Sequence, residues 1–205
     1  MLFGILLQAA DAAACSSLQV RPEIWIYECG CPCEGGSTPA PDIVTVSGTI
    51  VLRNGRATPE LASLVVEVEA KVGGSFTPVA RRVLNEAGDD VVETCDSLYE
   101  DSAYPGTLDF VDDAGNPIPF SSIKELPEGR ISLSYVASFA GDIPGIEPGA
   151  KARVRTITTL MNADASRTCS IDANNDASID DDVKTHSDRS TVKLPEMSIV
   201  LPCPV

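Results

Sequence analysis

Residues 43–53 (IVTVSGTIVLR) and residues 64–72 (LVVEVEAKV) decide the fold of this chain. In the second stretch Glu67, Glu69 and Lys71 alternate with small or branched apolar residues. Alternation at a period of two is the pattern of a strand that buries one face and exposes the other. Both stretches are therefore predicted to be strands of an antiparallel sheet.

Turn residues follow both stretches. The dipeptide Asn54-Gly55 suits the positive φ angles of a tight hairpin turn, so the first strand is predicted to turn there into the second. Gly73-Gly74 ends the second strand, and residues 112–117 (DDAGNP) form a further turn cluster.

Further strand-like runs fill most of the remaining chain. They are residues 78–84, 107–111, 131–139, 150–160 and 192–201, the last interrupted by Pro195. Seven or eight strands at this spacing are typical of a sandwich or barrel. The predicted fold is mainly β, an immunoglobulin-like or jelly-roll antiparallel β-sandwich with an N-terminal apolar arm.

A domain boundary is predicted at residues 29–41 (CGCPCEGGSTPAP), where Gly, Pro, Ser and Thr dominate. Residues 1–41 would form an N-terminal apolar arm and cysteine-rich linker, and residues 42–205 the β-sandwich domain. The run 23–27, which holds the single Trp25, would either cover an edge of the sandwich or add a strand to a neighbouring copy.

The charge of the chain excludes some classes of partner. The formal net charge is −15, so phosphate backbones and anionic membrane surfaces are repelled unless a local basic patch exists. Lys151, Arg153 and Arg155 alternate along one predicted strand, and we interpret them as a solvated face. No nucleic-acid partner is expected.

The cysteines predict a disulfide framework. Seven are present, and Cys29, Cys31 and Cys33 form a cluster while Cys95, Cys169 and Cys203 are spread along the chain. A zinc site would need paired C-x2-C ligands or several histidines, but the chain has no such pair and only His186, interpreted as an exposed loop residue. One distant partner for each cluster member fits the count, and such bridges persist in oxidising compartments.

Cys15 is the seventh cysteine, and the residues that precede it indicate whether the chain is exported. It follows an apolar run and Ala12-Ala13-Ala14. This small-small-Cys pattern resembles the lipobox of bacterial lipoproteins, which implies lipidation at Cys15 and a membrane contact through that anchor alone. The alternatives are an ordinary signal peptide and a retained arm that inserts into a neighbouring copy. The apolar run is shorter than the roughly 20 residues that span a bilayer.

An acidic stretch at residues 171–182 is a candidate metal site. Its oxygen-bearing residues alternate as a wrapped calcium ion requires. The candidate ligands are Asp172, Asn174, Asp176, Ser178, Asp180 and Asp182. The stretch resembles the calcium loops of EF-hand and dockerin proteins, although Ala177 stands where Gly is usual and Val183 at the twelfth position. The stretch is either a Ca²⁺ site or an acidic solvated loop. Ca²⁺ is the only cofactor that we expect.

Catalytic motifs are absent from the sequence. It has no G-x-S-x-G, no H-E-x-x-H and no phosphate-binding glycine loop, and one His gives little from which to build a relay. We therefore predict no enzyme. The predicted function is a non-catalytic structural or interaction protein of an extracytoplasmic surface, either a self-assembling filament or coat subunit or a surface lipoprotein stabilised by disulfides.

Its expected partners are copies of itself or other surface proteins, and its expected location is extracellular or on the cell surface. Two alternatives stay open: a structural protein of a virion coat or tail, and a calcium-dependent adhesion or binding module.

Overall fold

The computed structural model describes residues 17–29, 42–54, 59–85, 101–123, 127, 129–162, 169–171, 177–179 and 183–201. Twelve strands lie in these ranges: β1 (Ser17–Cys29), β2 (Ile43–Asn54), β3 (Pro59–Val72), β4 (Ser75–Asn85), β5 (Leu108–Val111), β6 (Pro117–Ile118), β7 (Gly129–Ala140), β8 (Lys151–Asn162), β9 (Cys169–Ile171), β10 (Ala177–Ile179), β11 (Val183–Lys193) and β12 (Ile199–Leu201). One turn of 3-10 helix, Phe120–Ser122, follows β6.

Ten of these strands form two sheets. The larger sheet has six strands in the order β12-β1-β2-β7-β5-β6 and is antiparallel except where β12 lies parallel to β1. The smaller sheet is antiparallel, in the order β11-β8-β3-β4. Strands β9 and β10 pair only with each other in the described ranges. The prediction of a mainly β fold is confirmed, and two packed antiparallel sheets are consistent with a β-sandwich.

The main hydrophobic core lies between the sheets and is built from the alternate positions of each strand. A second, small apolar cluster, Val65 and Ile157 with Val83 packed against it, lies on the outer face of the smaller sheet. Members of the main core with 0% exposure are Val46, Ile50, Leu52, Tyr135, Ala137 and Phe139 from the larger sheet, and Leu61, Leu64, Val66, Val68, Ala70, Ala152 and Val154 from the smaller one. Burying each large apolar side chain contributes about 1.5–3 kcal/mol, which makes this layer the main source of stability.

The hairpin between β3 and β4 has a two-residue turn. Gly73 and Gly74 have φ angles of 62° and 95°. Positive φ at both central positions matches the right-handed twist of paired strands, and glycine adopts it without a steric cost. The prediction that Gly73-Gly74 ends the strand is confirmed.

The predicted hairpin at Asn54-Gly55 is wrong as a connection between paired strands. Strand β2 pairs with β1 and β7 in the larger sheet, whereas β3 pairs with β4 and β8 in the smaller one. The chain therefore crosses from one sheet to the other after Asn54. Apolar and polar residues alternate in both strands because both strands contribute to the same core. This alternation alone does not reveal which strands pair.

Strand β11 was not predicted, and His186 lies in it rather than in a loop. Its sequence, VKTHSDRSTVK, has few apolar residues because β11 is an edge strand of the smaller sheet. The predicted strand 192–201 is in fact the end of β11, a break, and the short β12. Twelve strands in the described ranges also exceed the predicted seven or eight.

Strand β1 contains the run 23–27 and belongs to the chain's own larger sheet. It pairs with β2 on one side and β12 on the other. Residues 1–16 and the predicted boundary at 30–41 lie outside the described residues.

The connection between β7 and β8 closes one end of the core. Its Ile143 and Ile146 are buried, as is Leu194, whose amide donates to the Ala150 carbonyl at 3.0 Å. A Cβ built on Gly145 would lie 3.0 Å from the Cβ of Ala70 near the end of β3. This loop and the β3–β4 hairpin therefore occupy the same end of the molecule.

Gly106 lies where the chain enters β5 in close contact with β7. The Ser138 amide donates to the Thr107 carbonyl at 2.8 Å, and the Ala140 amide donates to the Pro105 carbonyl at 2.6 Å. A Cβ at Gly106 would overlap the carbonyl oxygen of Ser138, which is backbone and has no rotamer to change. Only glycine fits without moving one of the two strands.

We expect Gly106→Ala to destabilise the fold by about 1–3 kcal/mol, the usual cost of forcing atoms into a packed site. Urea unfolding followed by circular dichroism measures this difference. Ser132→Ala, at an exposed position of β7, is the control and should leave the midpoint unchanged. A Gly106→Ala variant as stable as the control would contradict the close approach of the two backbones.

Candidate functional site

The outer face of the smaller sheet carries an ordered set of charges. On β3, Glu67 and Glu69 point away from the core, and on β8 so do Arg153 and Arg155. The register places Glu67 opposite Arg155 and Glu69 opposite Arg153. Opposite charges therefore meet across the two central strands, which favours this register.

Glu67 is the centre of a buried ion cluster. Its carboxylate accepts a hydrogen bond from Nε of Arg81 at 2.9 Å, and Nη1 of Arg155 lies 3.8 Å from Oε1. The Glu67 and Arg155 side chains are 0% and 2% exposed. The Nε of Arg155 also donates to the Ser187 hydroxyl at 2.7 Å. A charge this buried is tolerated only when it is paired, so the cluster depends on its partners.

Two further contacts extend this charged layer towards the β3–β4 hairpin. Nε of Arg189 lies 3.0 Å from Oε1 of Glu69. The guanidinium of Arg153 stacks 4.0 Å above the ring of Phe76, a cation–π contact. The prediction of a solvated face is right for Lys151, which is exposed, but wrong for Arg155, whose side chain is buried beside the Glu67 carboxylate; Arg153 is half-buried.

A row of three lysines lies beyond these contacts, at the hairpin end of the sheet. Lys151 pairs with Lys193, and Lys71 follows the Ala70–Ala152 pair, so the three residues occupy neighbouring strands. All three are exposed. We call Lys71, Lys151 and Lys193 the lysine row. Lys193 pairs with Glu196, and this contact lowers the pKa of the Glu196 carboxyl.

An apolar patch lies at the β12 edge of the larger sheet, where Trp25 is on β1, Ile199 is on β12 and Met197 is in the bend before β12. Trp25, Met197 and Ile199 are 37%, 79% and 39% exposed. Tyr27, half-buried, pairs with Ile199 and shares a face with Trp25 two residues away. The indole of Trp25 donates to Glu23 at 3.4 Å. These four residues, Trp25, Tyr27, Met197 and Ile199, are the apolar patch.

Hydroxyl groups lie elsewhere on the sheet face that carries Trp25. Thr49 and Ser134 share a hydrogen bond of 3.3 Å across β2 and β7, and Thr107 and Ser138 share one of 3.1 Å. The amide of Thr107 also donates to Ser138 Oγ at 3.0 Å. The same face also carries the acidic residues Glu23 and Asp109. Among the residues of the apolar patch, sequence analysis singled out only Trp25, although Met197 and Ile199 lie two residues apart.

The predicted calcium ligands fall almost entirely outside the described residues. Asp172, Asn174, Asp176, Asp180 and Asp182 lie there, and the backbone of Ser178 lies in β10 opposite Ser170. The Ca²⁺ site stays a prediction. Within the described part of the chain, three or more His, Cys, Asp or Glu residues nowhere group as a metal site would require.

The predicted lipidation and disulfide residues are mostly outside the described ranges too. Cys15, Cys31, Cys33, Cys95 and Cys203 lie there. Cys169 is the first residue of β9. Cys29 ends β1, where it pairs with Leu201 of β12. Among the described residues, no helix has the length and hydropathy to cross a membrane.

Comparison with known proteins gives no relative. The chain matches no known protein family, no curated protein and no solved structure.

We expect Glu67→Gln to destabilise the fold by about 3 kcal/mol or more, because it leaves Arg155 buried without its carboxylate. Chemical denaturation at neutral pH measures the loss. The control is Glu196→Gln, which breaks the ion pair with Lys193 between two exposed side chains and should leave the midpoint unchanged. Equal midpoints for the two variants would contradict the buried cluster.

Proposed function

We propose that this chain is a non-catalytic structural or interaction protein of an extracytoplasmic surface, and that it assembles with copies of itself as a filament or coat subunit. The apolar patch carries this proposal. Three of its members are large apolar side chains that stay exposed at one edge of the larger sheet. Contiguous exposed apolar surface is typical of protein–protein contacts, since water solvates it poorly.

The position of the patch also supports assembly. It lies at the edge of a sheet, where β12 has only three residues and its outer side has no partner strand in the described ranges. An edge strand offers unpaired backbone groups next to the apolar side chains. A second copy that meets this edge would bury Trp25 and Ile199 together.

Within the sandwich class, we infer an immunoglobulin-like arrangement rather than a jelly roll. The order β1-β2-β7-β5 corresponds to strands A-B-E-D of that fold, and β11-β8-β3-β4 corresponds to G-F-C-C′. Strands β6, β9, β10 and β12 would then be additions. This arrangement is common among surface and adhesive modules, and it agrees with the proposed location, although fold alone does not define function.

We also propose that disulfides join the cysteine cluster to the sandwich. The described backbone supports this at one place: β1 ends at Cys29 beside Leu201, and Cys203 follows two residues later in the sequence. Cysteine partners must have Cα atoms within about 7 Å, so Cys203 is favoured as a partner of the cluster.

Peptide mapping without reductant tests the disulfides. We expect a cross-linked peptide that contains Cys203 and a member of the 29–33 cluster, and no free thiol among the six candidates. Six free thiols in oxidised, native material would contradict the framework.

Met197→Glu tests the apolar patch. The side chain is 79% exposed, so the melting temperature should not change, but a charge placed in a buried contact should weaken self-association about tenfold or more. Sedimentation velocity over a concentration series measures the association. Trp25 is the single Trp and gives a second readout, because its emission should shift to the blue on association in the wild type only.

Ser132→Glu is the matched control, since it adds the same charge at an exposed position of the same sheet. Equal association of the two variants would rule out the patch as the contact.

A further inference from the structure

The lysine row sits on a face whose charge opposes that of the whole chain. Strand alternation and register place seven of the fifteen basic residues on the outer face of the smaller sheet, together with three acidic ones. The basic residues are Lys71, Arg81, Lys151, Arg153, Arg155, Arg189 and Lys193, and the acidic ones are Glu60, Glu67 and Glu69. The complete chain has a net charge of −15. This face is therefore a basic surface on an acidic protein.

Within the lysine row, Lys193 is compensated by Glu196, and the charges of Lys71 and Lys151 remain. Glu67 and Glu69 pair with Arg81, Arg155 and Arg189. Lys71 and Lys151 form no ion pair in the described part of the chain. Like charges directly opposite each other on paired strands are unfavourable, as for Lys151 and Lys193. An anionic partner would remove that repulsion.

The chain itself carries a complementary surface around the β5–β6 turn. Residues 101–123 contain four Asp and neither Lys nor Arg. Asp109, Asp112 and Asp113 lie on β5 or in the turn that follows it. The Asn116 side chain and backbone amides, including that of Asn116 at 2.8 Å, hydrogen-bond the Asp112 carboxylate and lower its pKa, so Asp112 keeps its charge in mildly acidic solution.

The two surfaces lie at opposite ends of the molecule. The β5–β6 turn follows Val111, which pairs with Ser134 of β7. Strand β7 continues from there to Ala140, and its connection to Lys151 reaches the end that carries the lysine row. At about 3.3 Å per residue, the intervening part of β7 separates the ends by roughly 20 Å.

We propose that the lysine row of one copy docks on Asp109 and Asp113 at the β5–β6 turn of the next. This inference rests on the proposed function, self-assembly, and names the surfaces that orient it. A contact between two different surfaces is heterologous, and its repetition gives a filament or a ring rather than a closed two-fold dimer.

Charge reversal tests the contact in the full chain. Lys151→Glu and Asp113→Lys should each weaken self-association about tenfold or more in sedimentation velocity at low salt, because each places like charges together. Combining them in one chain should restore association, since the charges are swapped. An equimolar mixture of the two single variants should also regain association, as alternating copies, because each surface of one variant then meets an oppositely charged surface of the other.

Arg130→Glu and Asp42→Lys are the matched controls. Both residues are exposed, and they change the net charge by the same amounts as Lys151→Glu and Asp113→Lys. Arg130 lies at the start of β7, at the end of the molecule that carries the β5–β6 turn, and the Asp42 carbonyl accepts from the Gly141 amide at the end that carries the lysine row. Each change therefore strengthens the charge already present at its end, and neither control should weaken association. Wild-type association through this contact should also fall as the screening length shortens from about 30 Å at 0.01 M salt to about 3 Å at 1 M.

The results separate this inference from the proposed function. A wild-type chain that stays monomeric at every salt and protein concentration would overturn self-assembly itself. A wild-type chain that associates, but loses no more association with Lys151→Glu than with Arg130→Glu, would overturn the lysine row alone. The same holds if the charge-swapped double variant fails to recover while its melting temperature equals that of the wild type.

Discussion

The register between β3 and β8 is the constraint on which the rest of the structure depends. These are the two central strands of the smaller sheet, and each position serves either the core or the charged outer face. A shift by one residue would move Glu67 into the core and Val66 out of it. Such a shift would bury a carboxylate among apolar side chains, which costs several kcal/mol. The hydrophobic layer therefore fixes which face each residue occupies.

Some other registers would leave every residue on its own face of the sheet, and among these the charges favour the observed one. A shift by two residues in one direction would place Lys71 opposite Arg153 and Glu67 opposite Ile157, so Glu67 would lose Arg155 and keep only Arg81 of β4. The observed register instead places Glu67 beside Arg155 and within reach of Arg81. A buried ion cluster adds little stability compared with an apolar one of the same shape. Its effect here is specificity, because the two-residue shift separates Arg155 from Glu67 and places two positive charges, Lys71 and Arg153, opposite each other.

The sequence was sufficient for features that depend on neighbours along the chain. Alternation predicted the faces of β2 and β3, and Gly73-Gly74 predicted the two-residue turn that joins β3 to β4. It was insufficient where distant strands meet. Asn54-Gly55 has turn chemistry, but nothing in those two residues shows that β2 and β3 join different sheets. The sequence predicted a solvated Arg155, because its contact with Glu67 forms only when β3 and β8 pair. The polar β11 was missed because an edge strand needs little apolar alternation.

The same argument explains why the candidate surfaces could be predicted only in part. Lys151 and Trp25 were identifiable as single residues, but the lysine row is assembled from β3, β8 and β11, and the apolar patch from β1 and the segment at β12. The two surfaces also differ in physical character. An apolar contact is non-directional and depends little on screening, whereas an ionic contact orients its partner and weakens with salt. A subunit that carries both can obtain affinity from one surface and orientation from the other, as a regular assembly requires.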